Sequence, residues 1–180
     1  KIYLWGSERD ILQGTQQWTF RLITRLTNTE FINAYRMSPS ALVHFSNLME
    51  QKRPSLIVAY AESIYEAANF FEKNGLPVFP PRAIITSAGT LFPSMRDKIS
   101  QVFRCRVYNH YGSRETGAIA CELPGQEGLW VAPWGNYLEV IDQSGNPLPS
   151  LSRGEILITC LSNYAMPLIR YRIGDIGILG

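Results

Sequence analysis

The stretch from Leu56 to Asn109 limits the fold more than any other part of the chain. Three short apolar runs lie in it: Leu56 to Tyr60, Ala83 to Thr86 and Arg106 to Asn109. Two stretches of helical spacing separate them. In the first, Ile64, Ala67, Ala68 and Phe71 share a face, and Gly75 follows as a C-cap. In the second, Pro93 opens a helix whose Met95, Ile99, Val102 and Phe103 share a face. Strand, helix, strand, helix and strand at these intervals predict right-handed crossovers in a parallel sheet.

The flanks extend this frame. Ile2 to Trp5 reads as a strand. Residues 7 to 26 read as a helix, with Ser7 at the N-cap and Glu8 and Asp10 favouring the dipole in its first turn. Ile11, Trp18, Leu22 and Leu26 recur along it at near-helical spacing. An extended stretch, Glu30 to Met37, leads to Ser38-Pro39, a cap followed by proline at the first helical position. Leu42, Phe45, Leu48 and Met49 line that helix, which ends by Lys52 because Pro54 disfavours helical geometry at Arg53. After Glu115 helical periodicity stops. Short strands follow at Leu129 to Ala132, Tyr137 to Ile141, Glu155 to Thr159 and Leu168 to Arg172, with a turn at Gly145-Asn146-Pro147. The expected fold class is α/β: a parallel β-α-β-α-β subdomain over residues 1–116, then a smaller antiparallel β region over residues 117–180. Both ends interrupt the pattern abruptly, so the chain is expected to be a fragment of a longer protein.

Composition narrows the function classes. The 180 residues are 46% apolar and 18% charged, ordinary for a globular protein with a real core. A net charge of +2 gives no footprint for a nucleic acid polymer or an anionic membrane. No apolar run approaches the roughly 20 residues a membrane helix needs. Cys105, Cys121 and Cys160 are isolated and odd in number, which argues against a zinc site or a disulfide framework. The cytoplasm is the expected compartment.

Open α/β sheets bind ligands beyond the carboxyl ends of their strands. The loops expected there carry Ala61-Glu62, Ser87-Ala88-Gly89-Thr90 and Tyr111 to Glu115. If the second and third strands are neighbours, the last two loops flank one crevice. The Tyr111-Gly112 pair is expected to end the third strand. Gly89 and Gly112 would let backbone approach a flat ligand, and Tyr111 offers an aromatic face with a polar tip. Glu115 is a hard oxygen donor of the kind that holds magnesium with substrate phosphates, or else a surface carboxylate. Asp175 could accept from ribose hydroxyls, or be an ordinary turn aspartate. Arg170 and Arg172 alternate along one strand and would face phosphate or solvent. His110 reads as a structural neighbour of the loop.

Four stretches in order resemble the adenylate-forming enzymes of the acyl-CoA synthetase type. SAGT (Ser87 to Thr90) resembles the family's adenine loop, and NHYGSRE (Asn109 to Glu115) its NxYGxTE motif. GEILIT (Gly154 to Thr159) resembles its GELxIxG strand, and YRIGD (Tyr171 to Asp175) its YRTGD motif. Ala165 to Gly177 is most similar to the phenylacetate-CoA ligase branch and its CapK-like relatives in capsule biosynthesis. The resemblance implies a fragment of the large N-terminal domain of an ATP-dependent acid-thiol ligase, with ATP/AMP, Mg2+ and coenzyme A as cofactors and a small carboxylic acid as partner. It implies that Ser87, Ala88 and Gly89 line the adenine pocket, that Tyr111 lies against the base, that Glu115 binds magnesium and that Asp175 holds the ribose hydroxyls. Arg114 stands where the family has Thr or Ser, and is the candidate for a phosphate contact. The family's phosphate loop and catalytic lysine lie outside this stretch, so the fragment alone is expected to be inactive. The alternative is a non-catalytic nucleotide-binding module serving capsular polysaccharide assembly. A homodimer is compatible with either.

Overall fold

The computed structural model describes residues 1–6 and 18–180, and these form two units, Lys1–His110 and Tyr111–Gly180. The first unit holds β1 (Ile2–Leu4), α1 (Trp18–Leu26), β2 (Glu30–Ile32), α2 (Pro39–Lys52), β3 (Leu56–Tyr60), α3 (Ala61–Asn74), β4 (Ala83–Ser87) and α4 (Pro93–Phe103). It ends with most of β5 (Arg106–Ser113). Its strands run parallel in the order β2-β1-β3-β4-β5. The expected β-α-β-α-β run is β3-α3-β4-α4-β5, and β4 and β5 are indeed neighbours, with Thr86 opposite Asn109.

Local chemistry explains the helix limits. Ser38 accepts from the Ala41 amide at 3.3 Å, and Pro39 occupies the first helical turn of α2. Arg53 closes α2 in the left-handed region (φ 44), and Gly75 does so for α3 (φ 60). The three helices bring Phe45, Phe71 and Phe103 together, with ring centroids 5.5 to 6.4 Å apart. All three rings are buried, as are Ile57, Ile84, Met49 and Ile99 around them. Burying each such side chain stabilises the unit by about 1.5–3 kcal/mol, before entropy is counted.

One helix stands apart from this core, and one expectation needs correction. Helix α1 has no fully buried residue: Trp18 and Leu26 are 74% and 76% exposed, and Phe20 is half-buried against Phe31. Its spacing is helical, yet no part of the described first unit covers that stripe. Ser7, Glu8, Asp10 and Ile11 lie outside the described residues. In addition, Tyr111-Gly112 does not end the third strand, because β5 continues to Ser113. Beyond Asn109 it has no further β4 partner, and its tail pairs instead with an antiparallel strand.

That tail belongs to the second unit, beside β6 (Gly117–Cys121) and β7 (Trp130–Val131). A separate three-stranded antiparallel sheet has the order β10-β9-β8, from β8 (Asn136–Ile141), β9 (Arg153–Cys160) and β10 (Tyr171–Ile178). Strand β10 therefore starts later than the expected Leu168 and runs further. Ile119, Ala120, Ile156 and Ile158 form this unit's small core, with Tyr111, Leu138 and Ile173 packed against them. The glycine that opens GEILIT has a steric reason: a Cβ at 154 would collide with the Ile141 carbonyl and the side chains of Leu148 and Val140. Among the described residues no helix is long and apolar enough to cross a membrane.

Candidate functional site

In the first unit, the loop after β4 is held from two sides. Thr86 donates to the Tyr108 carbonyl at 3.2 Å, and the Ser87 hydroxyl lies 3.3 Å from His110 Nδ1. Both Thr86 and Ser87 are buried. His110 is thus tied to the strand that carries the loop, as a structural residue would be. Ala88 adopts φ 60, in the left-handed region that few side-chain residues enter. At Gly89 the constraint is close approach rather than backbone angle. The Glu62 carboxylate, in the first turn of α3, occupies the space where a Cβ at 89 would sit. The sequence placed Glu62 and Gly89 on neighbouring loops but gave no sign that one fills the other's side-chain volume.

Aromatic rings gather near the same ends of β1 and β3. Trp5 packs on Tyr60 with centroids 4.4 Å apart, and Tyr35 meets Tyr60 edge-on at 5.8 Å. The Tyr60 hydroxyl accepts from the Gly6 amide at 3.3 Å. Phe31 is elsewhere in the unit, stacked on Tyr3 at 5.1 Å and tilted against Phe20 at 5.2 Å.

The second unit brings together two residues singled out in separate motifs. The Tyr111 hydroxyl donates to Asp175 Oδ2 at 2.6 Å, across 64 residues of sequence. A bulge in β10 makes this geometry. Arg172 pairs with Leu157 and Ile176 with Glu155, so the residues between them leave the regular ladder. Gly174 supplies the required φ of 89 within that bulge. Burial raises the pKa of the Tyr111 phenol, and the hydrogen bond and charge of Asp175 raise it further. The phenol therefore stays a protonated donor through the physiological range. Tyr111 and Asp175 line a cleft of about 450 Å³ with Ala120, Leu138 and Ile156. A larger cleft, about 640 Å³, opens beside Asp142, Arg153 and Glu155 in the same unit and touches neither Tyr111 nor Asp175.

Gly112 has no positive φ and lies within β5. Arg114 and Glu115 are exposed in the turn between β5 and β6. That turn is pinned by Ser113, which accepts from the Thr116 amide at 3.1 Å. Among the described residues no three His, Cys, Asp or Glu side chains group as a self-sufficient metal cage.

Arg170 and Arg172 do not alternate along one strand, since β10 begins only at Tyr171. Arg170 takes φ 50 and pairs with Glu139 at 3.2 Å, while Arg172 pairs with Glu155 at 3.4 Å. Each guanidinium is engaged by a carboxylate of the same sheet. The cysteines are free thiols. Burial pushes the pKa of the Cys105 thiol up to about 11, whereas backbone and hydroxyl donors at Ser162 lower that of Cys160.

No protein-family model matches the chain. Protein CapK of Staphylococcus aureus is 29% identical over 150 residues, which are 82% of this chain and 32% of CapK. Among solved structures, an open form of 2-hydroxyisobutyryl-CoA ligase with 2-HIB-AMP and CoA aligns at TM-score 0.72 and 17% identity. The alignment covers 86% of this chain and 35% of that one. A long-chain-fatty-acid-CoA ligase of Archaeoglobus fulgidus aligns at TM-score 0.62 and 16% identity, over 76% of this chain and 34% of its own. The chain has the fold of the adenylate-forming ligases. It spans about a third of the length of each of these relatives. The mixed architecture follows from that fold: a mostly parallel sheet, then a separate small antiparallel one.

Proposed function

We propose that the chain is part of an ATP-dependent ligase that activates a carboxylic acid as its acyl-adenylate, releases pyrophosphate and passes the acyl group to the thiol of coenzyme A. The observation that carries this reading is the meeting of Tyr111 and Asp175 at 2.6 Å, within a fold shared with 2-hydroxyisobutyryl-CoA ligase, which is solved in complex with 2-HIB-AMP and CoA. In this reading Ser87, Ala88 and Gly89 line the adenine edge of the site. Tyr111 presents its ring to the base, and Gly112 leaves room for close backbone approach. Asp175 accepts from the ribose hydroxyls. Glu115 holds magnesium together with the nucleotide phosphates, and the ion would supply neutralisation of phosphate charge. The chain's own residues bind and orient: they set the nucleotide so that a carboxylate oxygen can approach the α-phosphorus in line with the departing pyrophosphate. Arg114, in the turn before Glu115, is the charged group nearest in sequence for a phosphate contact.

The test is ATP-pyrophosphate exchange by the full-length protein with a panel of aryl and short-chain acids. Exchange with at least one acid, lost in Asp175→Ala, is the expected result. AMP binding with no exchange for any acid would instead favour a nucleotide-binding module without catalysis. Absence of both would overturn the nucleotide reading.

A further inference from the structure

The geometry points to Tyr111 as the positioning residue for Asp175: its phenol fixes the carboxylate so that one oxygen, Oδ1, is left facing the ribose. This inference rests on the nucleotide reading and goes beyond it, because it gives the Tyr111 hydroxyl a task separate from that of its ring.

The argument begins with the freedom of an exposed aspartate. Its terminal torsion is broad and roughly two-fold, so a solvent-facing carboxylate samples many planes. A ribose acceptor must hold one plane, or it loses affinity to ordering when the ligand arrives. Asp175 is exposed and sits in the bulge after Gly174, outside the regular β9–β10 ladder. Backbone pairing therefore does not hold it. What does hold it is the 2.6 Å bond from Tyr111, a length typical of a hydroxyl donating to an ionised carboxylate. Tyr111 is itself firmly placed. It lies within β5, is half-buried, and packs against the core of Ile119, Ala120, Ile156 and Ile158. A rigid strand thus carries the donor, a bulge carries the acceptor, and the bond gives the bulge the strand's precision. The phenol's raised pKa keeps the donor proton in place wherever the enzyme would work.

A ring contact and a hydroxyl contact make different demands, and this separates them by experiment. Tyr111→Phe keeps the aromatic face and removes only the O–H. Calorimetry on the full-length protein compares AMP with 2′,3′-dideoxyadenosine monophosphate, which lacks both hydroxyls. The wild type should prefer AMP. In Tyr111→Phe that preference should fall about fivefold to tenfold, the net weight of one ordinary hydrogen bond, with dideoxy binding unchanged. Asp175→Asn should lose the preference too, and the double variant should be no worse than Asp175→Asn alone, since Tyr111 acts through Asp175. An unchanged preference in Tyr111→Phe overturns the proposal. So does a larger preference, which would mean that the phenol competes with the ribose. Equal weakening of both ligands also overturns it, as a merely structural role. A wild type that binds neither nucleotide would overturn the nucleotide reading itself.

Discussion

Gly89 and Gly174 are both glycine for a reason, and the reasons differ. Gly89 needs empty space, because the Glu62 carboxylate fills the volume of a side chain there. Gly174 needs a backbone angle, φ 89, and nothing lies within 4 Å of a Cβ built on it. The two should respond differently to alanine. In Gly89→Ala the obstacle is the far end of an exposed, flexible glutamate, which can swing away. Its stability should stay within about 0.5 kcal/mol of wild type. In Gly174→Ala the strain is in the main chain and no neighbour can relieve it. That variant should lose about 1–2 kcal/mol, and the bulge that aims Asp175 should loosen with it. Chemical denaturation of both variants checks the contrast. Equal midpoints would mean that the bulge yields without cost.

Elements show the same division between what a chain encodes locally and what its partners decide. The start of α2 is local: Ser38 accepts from Ala41 and Pro39 fixes the next φ. Ser38→Ala should therefore cost about 1 kcal/mol, read as a lower denaturant midpoint with an unchanged slope. A Ser38→Asp variant that can still cap should recover most of it. Such features were legible in the sequence, as were Gly75, the buried stripes of α2 and α3, and the order strand-helix-strand-helix-strand. The features that could not be read depend on distant partners. Tyr111-Gly112 looks like a strand break, yet β5 passes through it because β6 lies beside the tail. Gly174-Asp175 looks like a turn, yet it is a bulge inside β10 with β9 on either side of the irregularity. Leu168 to Arg172 looks like a strand with two arginines on one face, yet Arg170 sits at φ 50 before the strand begins. The same holds for the candidate site. Tyr111 and Asp175 could be named separately from their motifs, but the bond between them could not. It requires the bulge, and the bulge requires β9.

At the scale of the whole molecule, the two units are unequal in what they bury. The first unit gathers Phe45, Phe71 and Phe103 from α2, α3 and α4 and covers them with the isoleucines of β3 and β4. The second relies on a cluster centred on Ile119, Ile156 and Ile158, with no buried aromatic ring at its centre and with Ile176 and Ile178 of β10 exposed. Apolar burial dominates the free energy that resists opening, so the units should open at different cost. Amide hydrogen exchange resolved by residue should find Ile57 and Ile84 among the slowest, and Ile156 and Ile158 faster by at least about tenfold, a difference of about 1.4 kcal/mol in opening free energy. Phe71→Ala sharpens the test. Removing that ring should cost about 3–5 kcal/mol where the three helices meet and speed exchange in β3 and β4. Exchange at Ile156 and Ile158 should then stay near its wild-type rate, because those residues open with their own cluster. If the variant accelerates all four amides alike, or if the wild type protects them equally, the molecule opens as one cooperative body. The bulge that carries Asp175 would then be as hard to open as the parallel sheet, and ligand binding could draw on no separately yielding part of the fold.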